Sequence, residues 1–303
     1  MKIELIKKIK RILGKDIIQL FYRSLFFLSD EKYVKFIYRL RMGRRLNLSQ
    51  PKTFTEKLQW LKVNGHNSMY TRLADKLSMR EYVAEKIGDG HTVPLLGVWD
   101  DFKSIDFNFL PSSFVLKTTH DSGSYVICRD KNNLDYNKAK KIIEKSLKTN
   151  YYNVTREWQY KYIERKVIAE VLLKDDGESL TDYKFFCFNG KPLFMYIEKE
   201  SDDHPLQAIF DMDFNPLPFT MEDDKWEGKI IKPDNFSEMI DYAAKLSYSI
   251  PFLRVDMYVV NGVVYIGELT FYHYGGFVNF NPPAWDNTIG DQLDISYMIG
   301  DNK

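Results

Sequence analysis

Two carboxylates that flank one predicted turn are the side chains best suited to hold a divalent cation. In the segment FLRVDMYVVNGVVYIGELTF, the Asn-Gly pair at 261–262 is a strong signal for a tight β-hairpin, as is the pair at 189–190 in DYKFFCFNGKPLFMYIEKE. Asp256 precedes this turn and Glu268 follows it. Because strand side chains alternate between faces, the hairpin can bring both carboxylates close enough to share an ion. A salt bridge from Asp256 to Arg254, two residues away on the same face, is the alternative interpretation.

A second candidate site lies in the segment FVLKTTHDSGSYVICRDK, which has the pattern of two strands joined by a turn. The first strand carries Lys117, and the turn contains Ser122, Gly123 and Ser124. Backbone amides of such a turn can bind phosphate, with the hydroxyls and the lysine as further donors. The Walker pattern GxxxxGK[ST] is absent from the sequence, so an ordinary hairpin is the alternative.

Helices and short strands must position these segments. Apolar residues at helical spacing predict two or three amphipathic helices over residues 1–45. Thr53 and Glu56 have the spacing of a capping box that opens a helix from Phe54 to Val63. Further helices are predicted over 71–87, 136–148, 236–249 and a short closing segment, and strands over 114–120, 125–130, 167–173, 182–200 and 252–271. The predicted fold class is α+β with antiparallel sheets.

Composition excludes several classes of protein. The chain has 303 residues, of which 44% are hydrophobic and 28% charged, so it is neither disordered nor fibrous. No apolar stretch reaches the length of about 18 residues that a spanning helix needs, and the N-terminus lacks the apolar run of a secretory signal. Cys128 and Cys187 lie in apolar runs, as buried thiols do in a reducing compartment. We expect a cytoplasmic protein.

Positive charge is concentrated near the N-terminus. The net charge of the chain is +1, yet residues 1–45 hold 13 Lys and Arg against 4 Asp and Glu. This asymmetry predicts peripheral contact with an anionic membrane, at the inner face of the cytoplasmic membrane. Packing of the apolar positions against the rest of the protein or a second subunit is the alternative. No nucleic-acid-binding signature accompanies the charge, so no nucleic acid is expected as a partner.

The order of these elements resembles the ATP-grasp superfamily of carboxylate ligases. A strand lysine, a glycine-serine turn, a strand with an acid, a second lysine and an acidic hairpin follow one another. The resemblance to the teichuronopeptide-biosynthesis (TupA-like) branch rests on the phrases PKTFTEKLQWLK, RLADKLSMREYV, PLLGVWDDF, FVLKTTHDSG, REWQYKYI, DYKFFCFNGKP, RVDMYVVNG and IGELTFYHYGGFVNFNPPAWD. It covers about residues 45–295 and implies an ATP-grasp fold.

The resemblance implies four parts and two cofactors, ATP and Mg²⁺. The parts are a basic amphipathic helical extension over residues 1–50, an N-terminal lobe over 51–112, a central lid lobe over 113–181 and a C-terminal catalytic lobe over 182–303. ATP is expected between the last two lobes.

Roles in nucleotide binding follow from the same resemblance. Lys117 and Lys184 would bind the phosphates of ATP. The segment from His120 through Ser122 and Gly123 to Ser124 would form a flexible loop over them, and Glu170 would contact adenine and ribose. In this branch a glycine usually follows the histidine, whereas this chain has Asp121.

Roles in metal and acceptor binding follow likewise. Asp256 and Glu268 resemble the magnesium-binding pair, with Thr270 where many ATP-grasp ligases have a third ligand, asparagine. Arg254 would hold the carboxylate of the acceptor or the transferring phosphoryl group, which its planar fork suits. Where relatives often have Pro-Gly, this chain has the pair His273-Tyr274, which would alter the acceptor pocket.

The implied function is that of an ATP-dependent carboxylate–amine ligase in the synthesis or modification of a surface polysaccharide. Its partners would be a glycan or uronic-acid acceptor and an amine or amino acid, joined through an acylphosphate. Two alternatives stay open: a phosphotransferase acting on a sugar or glycan precursor, and a catalytically silent nucleotide-binding subunit of a polysaccharide assembly complex.

Overall fold

The computed structural model describes residues 20–174, 180–199, 206–221, 224–226, 228 and 230–300. The α-helices are α1 Asp30–Met42, α2 Phe54–Asn64, α3 Ser68–Ala74, α4 Met79–Ile87, α5 Tyr136–Lys148, α6 Tyr152–Thr155, α7 Phe236–Ser247, α8 Trp285–Gln292 and α9 Ser296–Gly300. The strands are β1 Leu95–Trp99, β2 Phe114–Thr118, β3 Tyr125–Cys128, β4 Val167–Val171, β5 Asp182–Phe188, β6 Lys191–Lys199, β7 Leu206–Asp211, β8 Thr220–Met221, β9 Asp224–Lys225, β10 Phe252–Val260, β11 Val263–Thr270 and β12 Phe280–Asn281.

A four-stranded antiparallel sheet has the strand order β1-β4-β2-β3. In β2, Phe114, Leu116 and Thr118 are buried while the two residues between them are half-buried, the alternation expected of a sheet with one covered face. Ala139 and Ile143 of α5 pack against that face. The sequence did not single out β1, which lies within the predicted N-terminal lobe but pairs with β4 of the lid.

A six-stranded sheet, in the order β11-β10-β5-β6-β7-β9, carries the predicted catalytic hairpins. Both Asn-Gly turns are confirmed: the pairs at 189–190 and 261–262 take positive φ angles and join β5 to β6 and β10 to β11. Such turns need φ > 0 at both central residues, which asparagine and glycine tolerate best. The sheet is antiparallel except for the short β7–β9 pair.

The two faces of this larger sheet differ in chemistry. Phe185 and Cys187 of β5 point toward α7, where the Phe185 ring lies 5.9 Å from that of Phe236 and both side chains are fully buried. The alternate residues of the same strand, Asp182 and Lys184, must point to the opposite face. One face therefore forms the core beneath α7, and the other carries charge.

Helix α2 closes the large sheet from the side. The predicted capping box is present, since the Thr53 hydroxyl accepts from the Glu56 amide and the Glu56 carboxylate accepts from the Thr53 amide. The ring of Phe54 packs 5.0 Å from that of Phe252 on β10. The single helix predicted over 71–87 is wrong, because Asp75 caps the amide of Leu77 and separates α3 from α4.

The described part of the basic extension packs against the protein body. Tyr33 and Ile37 of α1 are buried in a cluster with Phe277, and the Tyr33 hydroxyl donates to the Val154 carbonyl at 2.5 Å. The Arg156 guanidinium donates to the carbonyls of residues 25 and 26. The helices predicted over residues 1–19 lie outside the described residues. No helix in the described ranges is long and apolar enough to cross a membrane.

Candidate active site

Cross-strand pairing gathers the predicted catalytic residues at the centre of the large sheet. Asp256 on β10 lies directly opposite Lys184 on β5 and, on its other side, opposite Glu268 on β11. Arg254 is opposite Thr270. Directly paired residues in antiparallel strands share a face. The structure therefore brings together all the residues proposed for metal, acceptor and second-lysine roles.

Arg254 is held by the most extensive set of contacts in this group. Its guanidinium donates to both oxygens of Asp256, at 2.7 and 2.6 Å, to Nδ1 of His273 at 2.7 Å, and to the Thr270 hydroxyl at 3.2 Å. Burial and the positive charge of Arg254 hold the pKa of His273 well below its usual range. The ring is thus neutral, as an acceptor must be. The Arg254–Asp256 salt bridge therefore coexists with the approach of Asp256 to Glu268.

Lys184 lies between two acids that fix its position. Its ammonium is 2.7 Å from the Asp182 carboxylate, 3.3 Å from that of Glu198, and 5.2 Å from the ring centre of Tyr196. Burial alone would lower the pKa of Lys184, but the charges of Asp182 and Asp256 outweigh it and raise that pKa above its ordinary value. Lys184 is therefore charged at neutral pH and rigidly placed.

The acids of this face fit a magnesium ion that also binds substrate oxygens. Burial and the neighbouring Asp256 raise the pKa of Asp182 to about 6, so the carboxylates repel one another as they stand. One Asp182 oxygen is buried without a hydrogen-bond partner among the described residues. No group of three or more His, Cys, Asp or Glu side chains within the described ranges is arranged to hold a metal. Mg²⁺ commonly needs only one or two carboxylates when phosphates supply the other ligands.

Lys117 and Glu170 form an ion pair on the four-stranded sheet. The Lys117 ammonium is 2.7 Å from one Glu170 oxygen, and the Arg80 guanidinium is 3.4 Å from the other. Arg80 also donates to the Val93 carbonyl at 2.6 Å. The Lys117 side chain is 25% exposed, so it can turn toward a ligand. The residues proposed to bind phosphate and ribose are thus neighbours here.

The predicted phosphate loop divides into a fixed and an exposed part. His120 is buried, with Nε2 near the carbonyls of Ser146 and Thr149. Asp121 is also buried, and its carboxylate accepts from the hydroxyls of Thr118 and Ser146 at 2.7 and 2.5 Å. These two residues therefore face the interior, so the negative charge of Asp121 does not point at a phosphate site. Ser122 and Gly123 are exposed, and Ser124 is half-buried.

One cavity of about 370 Å³ opens onto the charged face. Of the predicted site residues, Ser122, Lys184, Arg254, Glu268 and Thr270 line it, whereas Lys117, His120, Gly123, Ser124, Glu170 and Asp256 do not. Its other walls come from α1, α2 and the segments 151–160 and 272–277. Its volume lies in the range of small-molecule sites. The basic extension thus contributes directly to the walls of the candidate active site.

Sequence reasoning missed three acids and one lysine at this site. Asp182 lies two residues before Lys184, so strand alternation could have placed it on the catalytic face. Glu198 follows by the same rule once the hairpin register is known. Lys62 and Glu157 carried no local signal, because each becomes buried only through contacts with distant segments.

The paired sheets, with lysines on both and an acidic hairpin on the larger one, define an ATP-grasp protein. The sequence profile of the TupA-like ATPgrasp family matches residues 56–294. The chain belongs to this family. No curated protein matches the chain in sequence.

Solved ATP-grasp structures are distant in sequence. The chain is 17% identical to D-alanine–D-alanine ligase from Bacillus anthracis complexed with ATP, over 67% of this chain and 57% of that one, with a TM-score of 0.40. It is 14% identical to purK, N5-carboxyaminoimidazole ribonucleotide synthetase, in an ADP complex, covering 73% and 52% with a TM-score of 0.44. It is 10% identical to the ATP-grasp ligase PsnB complexed with a phosphomimetic variant of its minimal precursor, Mg and ADP, over 90% of this chain and 68% of that one, with a TM-score of 0.44.

Proposed function

We propose that this protein is an ATP-dependent carboxylate–amine ligase that acts on a surface polysaccharide or its precursor. Its acceptor would be a uronic-acid carboxyl, and its second substrate an amino acid or another amine. The observation that supports this proposal most is that Lys184, Arg254 and Glu268 line one cavity of small-molecule size, with Asp256 paired across the strands to Lys184 and Glu268. Family membership supports the ATP-dependent ligase class and leaves the acceptor to be tested.

The proposed reaction has two steps. A carboxylate oxygen of the acceptor attacks the γ-phosphorus of ATP, the bond to the β,γ-bridging oxygen breaks, and ADP leaves. The amine then attacks the acyl carbon, and phosphate leaves while the amine loses a proton. Phosphate is a far better leaving group than hydroxide, which is why the step is divided.

The side chains of this face would act by position and charge. Arg254, fixed by Asp256, His273 and Thr270, would offer its remaining N–H and its positive charge to the acceptor carboxylate or the transferring phosphoryl group. Lys184, fixed by Asp182, places a positive charge where the phosphates are expected. Preorganised charges of this kind require no rearrangement during the reaction and are usually the largest catalytic term.

Asp256 and Glu268 would hold magnesium, with Thr270 beside them. When bound, Mg²⁺ would neutralise the negative charge that develops on the phosphate oxygens. Each Asp256 oxygen accepts a hydrogen bond from Arg254 and keeps a further lone pair for a metal. The Thr270 hydroxyl accepts from Arg254, so its contact with a metal would be weak.

Nucleotide binding would extend to the four-stranded sheet. Lys117 would exchange its contact with Glu170 for a phosphate oxygen, and Glu170 would then be free to accept from ribose hydroxyls while remaining near Arg80. The exposed turn at Ser122, Gly123 and Ser124 would close over the phosphates, with His120 and Asp121 as its fixed base.

Product analysis tests the proposed reaction. Purified protein with ATP and Mg²⁺ should release ADP only when both the uronic-acid oligosaccharide and the amino acid are present. Mass spectrometry should detect the amide, and Glu268→Gln should abolish both signals. ADP release without the amine would indicate a phosphotransferase. If no combination of uronic-acid compound and amine causes ADP release, the protein would be a silent nucleotide-binding subunit, which contradicts the ligase proposal.

We also propose peripheral contact of residues 1–45 with anionic membrane. Phe26 and Phe27 are about 70% exposed, beside a segment of strong positive charge. Flotation with anionic liposomes should therefore weaken in the double variant Phe26→Ser/Phe27→Ser and in high salt. Phe109→Ser is the matched control, because Phe109 is 88% exposed on another part of the surface. Equal flotation of the double variant and wild type would contradict the contact.

A further inference from the structure

Lys62 is a buried cation in the cavity wall that the proposed reaction does not use. It lies on α2, is 1% exposed, and lines the same cavity as Arg254 and Glu268. Its ammonium donates to the Gly275 carbonyl at 2.7 Å and lies 5.5 and 5.1 Å from the ring centres of Tyr272 and Phe277. Such contacts orient a cation and supply no opposite charge.

The charge of Lys62 is poorly compensated by the part of the protein that the structure describes. Gly275 supplies the one hydrogen-bond acceptor recorded there for an ammonium with three N–H donors, and no described carboxylate forms an ion pair with it. The charge that affects its pKa most is that of Glu157, whose own pKa burial raises to about 7. Burial lowers the pKa of Lys62 to about 8, so at neutral pH it stays mostly protonated while Glu157 is partly neutral.

A second lysine of α2 shows the contrast. Lys57 donates to the carbonyls of Gly290 and Leu293, each at 2.8 Å, and thereby ties α2 to the end of α8. It does not line the cavity. Lys57 thus has a structural role that its contacts explain, whereas the contacts of Lys62 do not explain why a charge is buried there. Burying a charge that is incompletely paired destabilises a protein.

The rest of the cavity favours an anionic occupant. Four cations line it, Arg41, Lys62, Lys184 and Arg254, against three acids, Glu157, Glu198 and Glu268. Lys184 is paired with Glu198 and Arg254 with Asp256, so these charges compensate one another, whereas α1 and α2 contribute Arg41 and Lys62 to the lining and no acid. The side of the cavity formed by α1 and α2 is therefore positive. An oxyanion placed against Lys62 would supply its missing acceptors.

We propose that Lys62 binds an oxyanion of the acceptor, a carboxylate or phosphate group other than the carboxylate that is activated. That Lys62 binds an oxyanion rests on the cavity alone. That this oxyanion belongs to the acceptor substrate rests on the proposed ligase function. It defines the substrate class as a compound with at least two anionic groups. Lys62 would then discriminate between such compounds and neutral analogues.

Anion binding can be measured without turnover. Inorganic phosphate and acetate are titrated calorimetrically into wild type, Lys62→Met and Lys57→Met, with a non-hydrolysable ATP analogue and Mg²⁺ filling the nucleotide site. Wild type and Lys57→Met should bind at least one of the two anions with equal affinity, and Lys62→Met about tenfold more weakly or not at all. Preference for phosphate or for acetate identifies the kind of oxyanion. Equal affinity in Lys62→Met, or no binding by wild type, overturns the proposal.

Two further measurements keep the outcome clear. If Lys62→Met does not fold, NMR of ¹³C-labelled lysine in wild type replaces it: bound anion must raise the pKa of Lys62, and an unchanged pKa overturns the proposal. ADP release with acceptor and amine reports the ligase function separately. Anion binding at Lys62 without ADP release would contradict the ligase function and support the anion site. ADP release together with equal anion affinities in wild type and Lys62→Met would support the ligase function and contradict the anion site.

Discussion

The two lysines expected to bind phosphate lie in opposite surroundings. Lys184 is buried on the six-stranded sheet between Asp182 and Glu198, within a face that also fixes Arg254 through Asp256. Lys117 lies on the four-stranded sheet with a side chain that is 25% exposed, and Glu170 is its ion-pair partner. The larger sheet thus holds charges in fixed positions, whereas the smaller sheet holds a charge that can change partners.

This difference matches the division of work that the proposed function requires. Charges that stabilise a developing transition state are most effective when they are already in place. Charges that admit and release a nucleotide must exchange one partner for another. Variants of paired residues on the two sheets can therefore test whether the difference is real.

The largest expected effect is on stability, at Arg254. Replacing it in Arg254→Met leaves Asp256 buried without its bidentate partner, which should lower the free energy of unfolding by about 3–5 kcal/mol. Arg80→Met on the smaller sheet should cost only about 1 kcal/mol, because Glu170 keeps Lys117. Urea denaturation followed by circular dichroism measures both. Equal losses would show that the two sheets do not differ in charge compensation.

Glu157 is a buried acid that forms no ion pair with any of the described residues, and its stability contribution should therefore depend on pH. The pKa of Glu157 is raised from 4.5 to about 7, chiefly by burial, so the folded state binds this proton more tightly than the unfolded state. Stability from this group is fully present below about pH 4.5 and is lost as pH rises through about 7. The loss should be on the order of 3 kcal/mol.

Glu157→Gln is the control for that pH dependence. Because glutamine stays neutral, the variant should lack the decline in unfolding free energy between pH 4.5 and 7 that wild type shows. If the free energy of unfolding changes with pH in the same way in wild type and in the variant, Glu157 lies in a more polar environment than the structure shows.

Substitution of Lys184 should lower turnover, whereas substitution of Lys117 should weaken ATP binding. Lys184→Met removes a fixed charge, so turnover should fall about 10²-fold. Lys117→Met should weaken ATP binding about tenfold with a smaller change in turnover at saturating ATP, because Lys117 is proposed to bind the nucleotide in the ground state. Steady-state ADP release over a range of ATP concentrations separates the two. The same pattern in both variants would remove the distinction.

The smallest effect is expected in the phosphate loop. ATP with Mg²⁺ should slow amide hydrogen exchange at Ser122–Ser124, since these residues are the exposed part of the turn. His120 and Asp121 should be protected with or without nucleotide, because both are buried. If saturating ATP leaves the amide exchange rates at residues 122–124 unchanged, the loop does not close over the nucleotide.

The sequence predicted those parts of the fold that local chemistry determines. The capping box at Thr53 and both Asn-Gly hairpins are confirmed, because each depends on residues within a few positions of one another. The pairing of Asp256 with Glu268 did not follow from the turn alone, because a regular two-residue turn would place Asp256 opposite Gly267; a register shift between Asp256 and Met257 brings Glu268 opposite Asp256 instead. Lys62 could not be found this way: in LQWLKVN it looks like an ordinary helical lysine, and its burial depends on residues 272–277.

The break between α3 and α4 shows a different limit. The apolar spacing continues through residues 71–87, yet the side chain of Asp75 satisfies the amide of Leu77 and stops the helix. A short polar side chain can compete with the helical hydrogen bonds without disturbing the apolar pattern. Periodicity therefore predicted helical structure in this region and missed the interruption.

Calorimetric titration of ATP in the presence and absence of Mg²⁺ tests the central assignment most directly, that Asp256 and Glu268 bind the metal of the nucleotide. No hydrogen bond or ion pair to the Glu268 carboxylate is recorded among the described residues, so Glu268→Gln should fold normally. Wild type should bind ATP at least tenfold more tightly with Mg²⁺ than without it, a difference of about 1.4 kcal/mol or more. Glu268→Gln should lose most of this dependence. The same Mg²⁺ dependence in the variant and in wild type would contradict the assignment.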